Sequence, residues 1–139
     1  MLSSYKILTE SHLILFRPRD TFDEKDLQRV LGRLHFEVPG TPRWNRFVDF
    51  TGVEDFDLDY QGVMSESARL AHAGRPQPGQ EPIFRVAILC TQPFAFGLAR
   101  MIASILERNG IETRAFRDLE TLSSWMAMPP DALMSEQGH

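Results

Sequence analysis

The hydrophobic positions of this chain change period several times, and each change marks an element. Phe84 to Cys90 is an almost unbroken apolar run, FRVAILC. A run that short without polar alternation predicts a strand covered on both faces, as in a parallel sheet. Phe94, Leu98, Met101, Ile102, Ile105 and Leu106 then recur at helical spacing and predict one buried stripe. Thr91 is placed to cap this helix, Pro93 suits its first turn, and Asn109-Gly110 is a stop. Ile111 to Arg117 is the next strand. It must return parallel to the first, because a helix joins them.

The same reading extends toward the N-terminus. Ser4–Leu8 and His12–Arg17 predict two strands of an antiparallel hairpin at the sheet edge, turning at Thr9-Glu10-Ser11. Thr21-Phe22-Asp23-Glu24 has the form of a capping box, and Leu27, Val30, Leu31 and Leu34 follow at helical spacing. A helix is therefore expected over Phe22–His35. FEVPGTPR, residues 36–43, reads as a loop. Arg46–Phe50 is the third strand, and Thr51 to Phe56 leads away from it. Asp57 or Asp59 is placed to cap the next helix, with Tyr60, Val63, Ser67, Leu70 and Ala71 inward, Met64 and Ala68 alongside, and Gly74 at its end.

Arg75 to Pro82 is too rich in proline and glycine for regular structure and reads as a mobile surface loop. Asp118 is positioned to cap a last helix, with Leu119, Leu122, Trp125 and Met126 facing in and Pro129-Pro130 stopping it. Asp131 to His139 has few apolar residues and is expected to form a frayed tail. The order ββαβαβαβ predicts an α/β fold: one mixed sheet, antiparallel at its N-terminal hairpin and mostly parallel afterwards, flanked by about four helices. Residues 1–128 form the single domain and 129–139 the tail in this reading.

Composition narrows the function. The 139 residues are 42% hydrophobic and 24% charged, which suits one globular core. The net charge is −4. Nothing here attracts a phosphate backbone, so nucleic acid is not an expected partner. One cysteine excludes an internal disulfide and a thiolate zinc cluster. MLSSYKILTESH has no basic segment followed by an apolar run, and no stretch approaches the ~20 apolar residues of a membrane span. The expected location is the cytoplasm.

Candidate chemistry is sparse. Asp49, Glu54, Asp55, Asp57 and Asp59 fall within eleven residues. They suggest either a divalent-cation site or an acidic loop feeding a helix N-terminus, and the second is the commoner use. Cys90 ends a parallel strand just before a helix, so it is either a reactive thiol or, more commonly, a small buried apolar residue. Thr91-Gln92-Pro93 lacks the glycines of a phosphate loop. The four histidines fall in no HxxxH spacing, and no serine sits in a GxSxG elbow. No enzyme chemistry and no cofactor are expected. Phe96, with Ala99 and Ala103, gives the helix after Phe94 a second apolar face, for core or for a ligand.

Three segments in order resemble SpoIIAA-like proteins of the STAS superfamily: VDFTGVEDFD (Val48–Asp57), PFAFGLARM (Pro93–Met101) and AFRDLETLSSWM (Ala115–Met126). The resemblance runs from Tyr5 to Met126. It implies a compact α/β domain with a mixed sheet and a regulatory, non-catalytic role in binding a protein partner. Better-studied relatives are anti-sigma factor antagonists, phosphorylated on a serine in an Asp-Ser-Ser-Gly motif. The matching stretch here is Asp57-Leu58-Asp59-Tyr60, so the phosphoacceptor is missing. By the resemblance these four residues are the partner-binding candidates. The architecture is also similar to CRAL-TRIO lipid-binding domains, which implies a second reading: a carrier or sensor of a small hydrophobic molecule such as a lipid or fatty acid, docking on membranes in one form of that reading. Tyr60, Met64, Phe94, Phe96 and Met101 are the candidates for its lining. The sequence leaves the protein partner unidentified and a homodimer open.

Overall fold

The computed structural model describes residues 5–35, 44–73, 85–108 and 110–134, with side chains described for all of these except 5, 31–35 and 70–73. The hairpin is formed by β1 (Tyr5–Leu8) and β2 (Leu13–Phe16), antiparallel with Tyr5 opposite Phe16. A single 3-10 turn at Thr9–Ser11 joins them, and His12 takes a left-handed φ of 51° to re-enter the strand. β2 then pairs parallel with β4 (Asn45–Asp49), β4 with β6 (Arg85–Leu89), and β6 with β7 (Glu112–Phe116). The sheet order is β1-β2-β4-β6-β7. This is the mixed sheet that the hydrophobic pattern predicts, with α/β crossovers.

From β2 onward, each strand of this sheet is added on the same side as the last. Right-handed crossovers then place every crossover helix on one face. α1 (Glu24–His35), α2 (Tyr60–Ala73) and α3 (Pro93–Arg108) do pack there. Leu27, Val30, Val63, Leu98, Ile102 and Leu106 join Ile14, Phe16, Val48, Val86 and Ile88 in one core. The alternate strand residues Leu13, Leu15, Phe47, Ala87 and Leu89 point to the other face. There they meet Leu122 and Met126 of α4 (Leu119–Met126) and Leu133 of α5 (Pro130–Leu133). Burial on both faces is why β6 shows no polar alternation.

Four local expectations are corrected. The helix α1 starts at Glu24, two residues later than expected, because Asp20–Asp23 is a short strand, β3. The reciprocal cap is made by Asp23 and Asp26: Asp26 N–H donates to Asp23 Oδ1 at 3.0 Å, and Asp23 N–H donates to Asp26 Oδ2 at 3.1 Å. It has the capping-box form two residues further on, with Asp in place of Thr and Glu. β3 pairs parallel with β5 (Val53–Asp57), where the sequence pattern predicts no strand, only a segment leading away from the third strand. This two-stranded ribbon is seated by Phe22, Phe50 and Phe56, whose rings meet edge-on at 5.0–6.1 Å.

The residue preceding α3 is Gln92, whose carbonyl accepts Phe96 N–H at 2.7 Å, so Thr91 stands one position further out than a cap. The expected tail does not begin at Asp131. α4 ends at Ala127 with φ 57°, Pro130 opens α5, and Leu133 is fully buried. Proline suits that first helical position because its missing N–H has no partner there. The expectations for 36–43, Gly74, Arg75 to Pro82, Asn109 and 135–139 lie outside the described residues.

Candidate functional site

The carboxyl ends of β4, β5 and β6, and the helices α2 and α3, carry the candidate residues. Here β4 ends at Asp49, a carboxylate only 1% exposed. Arg17 Nε lies 3.1 Å from its Oδ2, and Thr51 donates to Oδ1 from N–H at 2.9 Å and from Oγ at 2.7 Å. Asp49 therefore ties two strand ends together and stands apart from the surface carboxylates. Glu54, Asp55, Asp57 and Asp59 are exposed along β5 and the turn after it. Among the described residues no group of three or more ligating side chains is arranged to hold a metal. Those carboxylates form an acidic rim.

Cys90 is 1% exposed. Burial pushes its thiol above the ordinary 9.0, a backbone hydrogen bond at Gln92 pulls the other way, and the Asp49 charge adds to the rise. A thiol held protonated is a poor nucleophile. The residue packs with the core around Ile88 and Leu98. Burial also pushes the Arg46 guanidinium down to about 10, and this side chain is 1% exposed with a bond to the Trp44 carbonyl.

The turn Asp57-Leu58-Asp59-Tyr60 sits at the start of α2. Asp59 Oδ1 accepts Gly62 N–H at 2.6 Å and so caps the helix. Asp57 ends β5, and Leu58 packs partly against the core. Asp23, Glu24 and Lys25 of the α1 start share a shallow surface cleft with Asp57, Leu58 and Asp59. Two helix N-termini thus lie side by side there, with Gly62 so close to α1 that a Cβ would stand 2.1 Å from Glu24 Oε1.

That contact orients α2. Its Gly62 flank faces α1, and its buried line is Val63 and Ser67. At 100° per residue, Tyr60 and Met64 fall on the opposite flank, toward α3, which packs beside α2. On α3, Glu107 Oε2 accepts Thr113 N–H at 2.8 Å and the Arg117 guanidinium lies 5.6 Å from the Phe96 ring centre. The Phe96–Glu107 flank therefore faces β7, and Phe94 and Met101 fall on the flank toward α2. Both helices run from the carboxyl edge of the sheet, so both first turns meet there.

Four of the five hydrophobic-ligand candidates share this α2–α3 seam; Phe96 lies on the far flank of α3. Tyr60 is 61% exposed, Met64 42% and Phe94 67%. The sequence reading placed Tyr60 inward and Phe94 in the core stripe of α3; both instead lie outside. The buried line of α3 is broader and shifted, running through Ala95, Leu98, Ala99, Ile102, Ala103, Ile105 and Leu106, because the helix is wedged between sheet and neighbours. The feature missed in sequence is Gly97, exposed on the same outer surface between Phe94 and Met101, with nothing within 4 Å of where a Cβ would be. A glycine inside an otherwise strong helical pattern is its one signal.

The protein is an α/β domain whose five-stranded mixed sheet, hairpin start and flanking helices agree with the SpoIIAA-like architecture that the resemblance implies. Among solved structures it is similar to the crystal structure of an uncharacterised protein of the DUF3478 family with a SpoIIAA-like fold, from Shewanella loihica PV-4. The two are 14% identical, the match covers 89% of this chain and 91% of that one, and the TM-score is 0.46. No protein-family model matches the chain, and no curated protein does. No helix among the described residues is long and apolar enough to cross a membrane.

Proposed function

We propose that this protein is a non-catalytic, STAS-like regulatory module that binds a protein partner through the start of α2 and works without a phosphorylatable serine, in the cytoplasm. One observation carries the reading. The first turn of α2 presents Asp59, already committed as the helix cap, followed by Tyr60 with 61% of its surface exposed. An aromatic ring left that open beside a carboxylate rim matches the composition of protein-docking surfaces, where tyrosine anchors are enriched. The helix N-terminus carries a fixed negative charge where related switches are charged by phosphorylation, so the module has one state at this position.

The alternative reading, a carrier of a small hydrophobic molecule, draws on the same seam: Tyr60, Met64, Phe94 and Met101 share it. High exposure of three of these four favours docking over enclosure, because a carrier buries most of its ligand.

Native mass spectrometry of the purified full chain, repeated after denaturation, separates the two. The docking reading expects no lipid-sized mass in the native spectrum. It also expects one protein captured from a lysate of the source cells by the wild type and lost with Asp59→Lys plus Tyr60→Ala. A lipid-sized mass present only in the native spectrum, or capture indifferent to both substitutions, overturns it.

A further inference from the structure

We infer that the outer edge of β7 takes up an extended acidic segment of another protein, which adds to the sheet as a further strand beside the flank of α3. The sheet order leaves β7 last, with β6 as its partner strand among the described residues. The C=O of Phe116 accepts Cys90 N–H and so turns to the β6 side. Backbone groups of successive strand residues turn to opposite sides, so those of Thr113 and Ala115 turn outward. Of these, Thr113 N–H donates to Glu107 Oε2 at 2.8 Å. Among the described residues nothing meets Ala115 N–H or C=O on the outer side. Open backbone groups of this kind are what a strand added from outside pairs with.

Charge around this edge states the chemistry of the partner. A cleft of about 280 Å³ runs between α3 and β7, lined by Arg100, Ser104, Glu107 and Arg108 and by the β7 stretch Thr113–Ala115. Arg100 and Arg108 are exposed, and neither has an ion-pair partner among the described residues. The one acid of the cleft, Glu107, is the group bonded to Thr113. On the opposite face of β7 the exposed Arg114 guanidinium lies 5.6 Å from the Trp125 ring centre. Just past the strand, exposed Arg117 lies as close to Phe96. Both faces of the edge thus carry guanidinium groups, in a chain whose net charge is −4. Like charges facing each other across paired strands destabilise the pairing, and opposite charges stabilise it. The arginines therefore turn away basic edges and favour an acidic one.

Spacing favours a strand over a small anion. Arg100 and Arg108 stand about 12 Å apart along α3. Two side chains on one face of a strand, with one same-face residue between them, stand about 13 Å apart. An extended segment can therefore set one acid against each arginine, while its other face meets Arg114. A single phosphate in the cleft leaves Arg114, turned toward Trp125, unused. A second copy of this chain, paired edge to edge, brings the same arginines with it. α3 stands between this edge and α2, so the inference does not rest on docking at Tyr60.

The test is fluorescence anisotropy of a dye-labelled peptide of about nine residues, with glutamates on both faces and threonines and valines between, titrated with the full chain. One control peptide has lysine for each glutamate. A second keeps the glutamates but is N-methylated at the amides of one edge, which removes strand pairing and leaves the charge. The expected result is saturable binding of the glutamate peptide at micromolar protein, with slowed amide exchange at Ala115. Both controls should bind about tenfold or more weaker, and so should the glutamate peptide to the Arg100→Glu plus Arg108→Glu chain, with circular dichroism confirming that this variant folds. A glutamate peptide that does not bind, or whose binding is indifferent to the arginine substitutions or to N-methylation, overturns the inference. So does a sedimentation mass of twice 15.9 kDa that falls when the peptide is added, which assigns the edge to a second copy. Displacement of the peptide by sodium phosphate beyond that by sodium chloride of equal ionic strength overturns it as well, and assigns the cleft to a small anion.

Discussion

Arg17 Nε stands 3.1 Å from Asp49 Oδ2, and Arg85 Nε stands 3.2 Å from Glu112 Oε1. The two ion pairs are alike in distance and opposite in setting. The first has side-chain exposures of 15% and 1%, the second 42% and 41%. Desolvation decides what each is worth. Asp49→Ala removes the buried anion facing Arg17 and its two bonds from Thr51, and is expected to cost about 3–5 kcal/mol. Glu112→Gln loosens a pair in water and should cost no more than about 1 kcal/mol. Urea unfolding of both variants checks this; equal losses would mean that burial does not set the value of these pairs.

The two helical glycines on the candidate surface should answer differently to alanine. At Gly97 the added methyl meets nothing within 4 Å. Gly97→Ala should therefore stabilise the isolated protomer by about 0.5–1 kcal/mol through lost backbone freedom in the unfolded chain. At Gly62 the methyl would stand 2.1 Å from Glu24 Oε1 and 3.1 Å from Asp59 Oδ1, the oxygen that caps α2. Glu24 is flexible and can swing away, but the cap must give as well. The helix gain is then offset, and Gly62→Ala should leave the melting temperature unchanged or lower. Thermal melts of dilute protein read both, and a gain at Gly62 matching that at Gly97 would refute the crowding.

The large-scale order of the fold is readable from periods in the sequence, since β2, β4, β6 and α3 owe their form to burial on the faces that the pattern marks. What was not readable came from contacts between distant residues. β5 reads as an acidic loop because Glu54 and Asp55 face solvent, and its strand form depends on pairing with β3, some thirty residues earlier. The start of α1 was misplaced because Thr21 and Asp23 both satisfy a cap pattern, and pairing of Phe22 with Phe56 takes Thr21 and Phe22 into the ribbon. Leu133 looked like part of a tail because a single leucine gives no period; its burial comes from packing under the sheet. The seam was half visible. Sequence supplied its residues, while their exposure depends on how far α2 and α3 roll about their axes, which no local pattern encodes.

The N-cap of α4 gives the protein an acid-sensitive contact. Asp118 accepts Thr121 N–H at 2.8 Å and the Thr121 hydroxyl at 2.8 Å, both on Oδ1. The Thr121 amide first, and its hydroxyl second, hold the carboxyl below the ordinary aspartate value of 3.8. A carboxyl with a lowered value in the folded state binds its proton less readily than in the unfolded chain. Its stabilising effect is thus complete above 3.8 and is lost as pH falls from there through the folded value. Asp118→Ala should lower the melting temperature at neutral pH, and the gap to wild type should narrow in acid. Asp118→Asn keeps an acceptor at the cap without a titrating group, so it should fall between them at neutral pH and show a weaker response to acid. Melting curves of the three proteins on both sides of 3.8 measure this. A constant gap between Asp118→Ala and wild type across that range would show that the ionised form of Asp118 contributes nothing beyond a neutral acceptor.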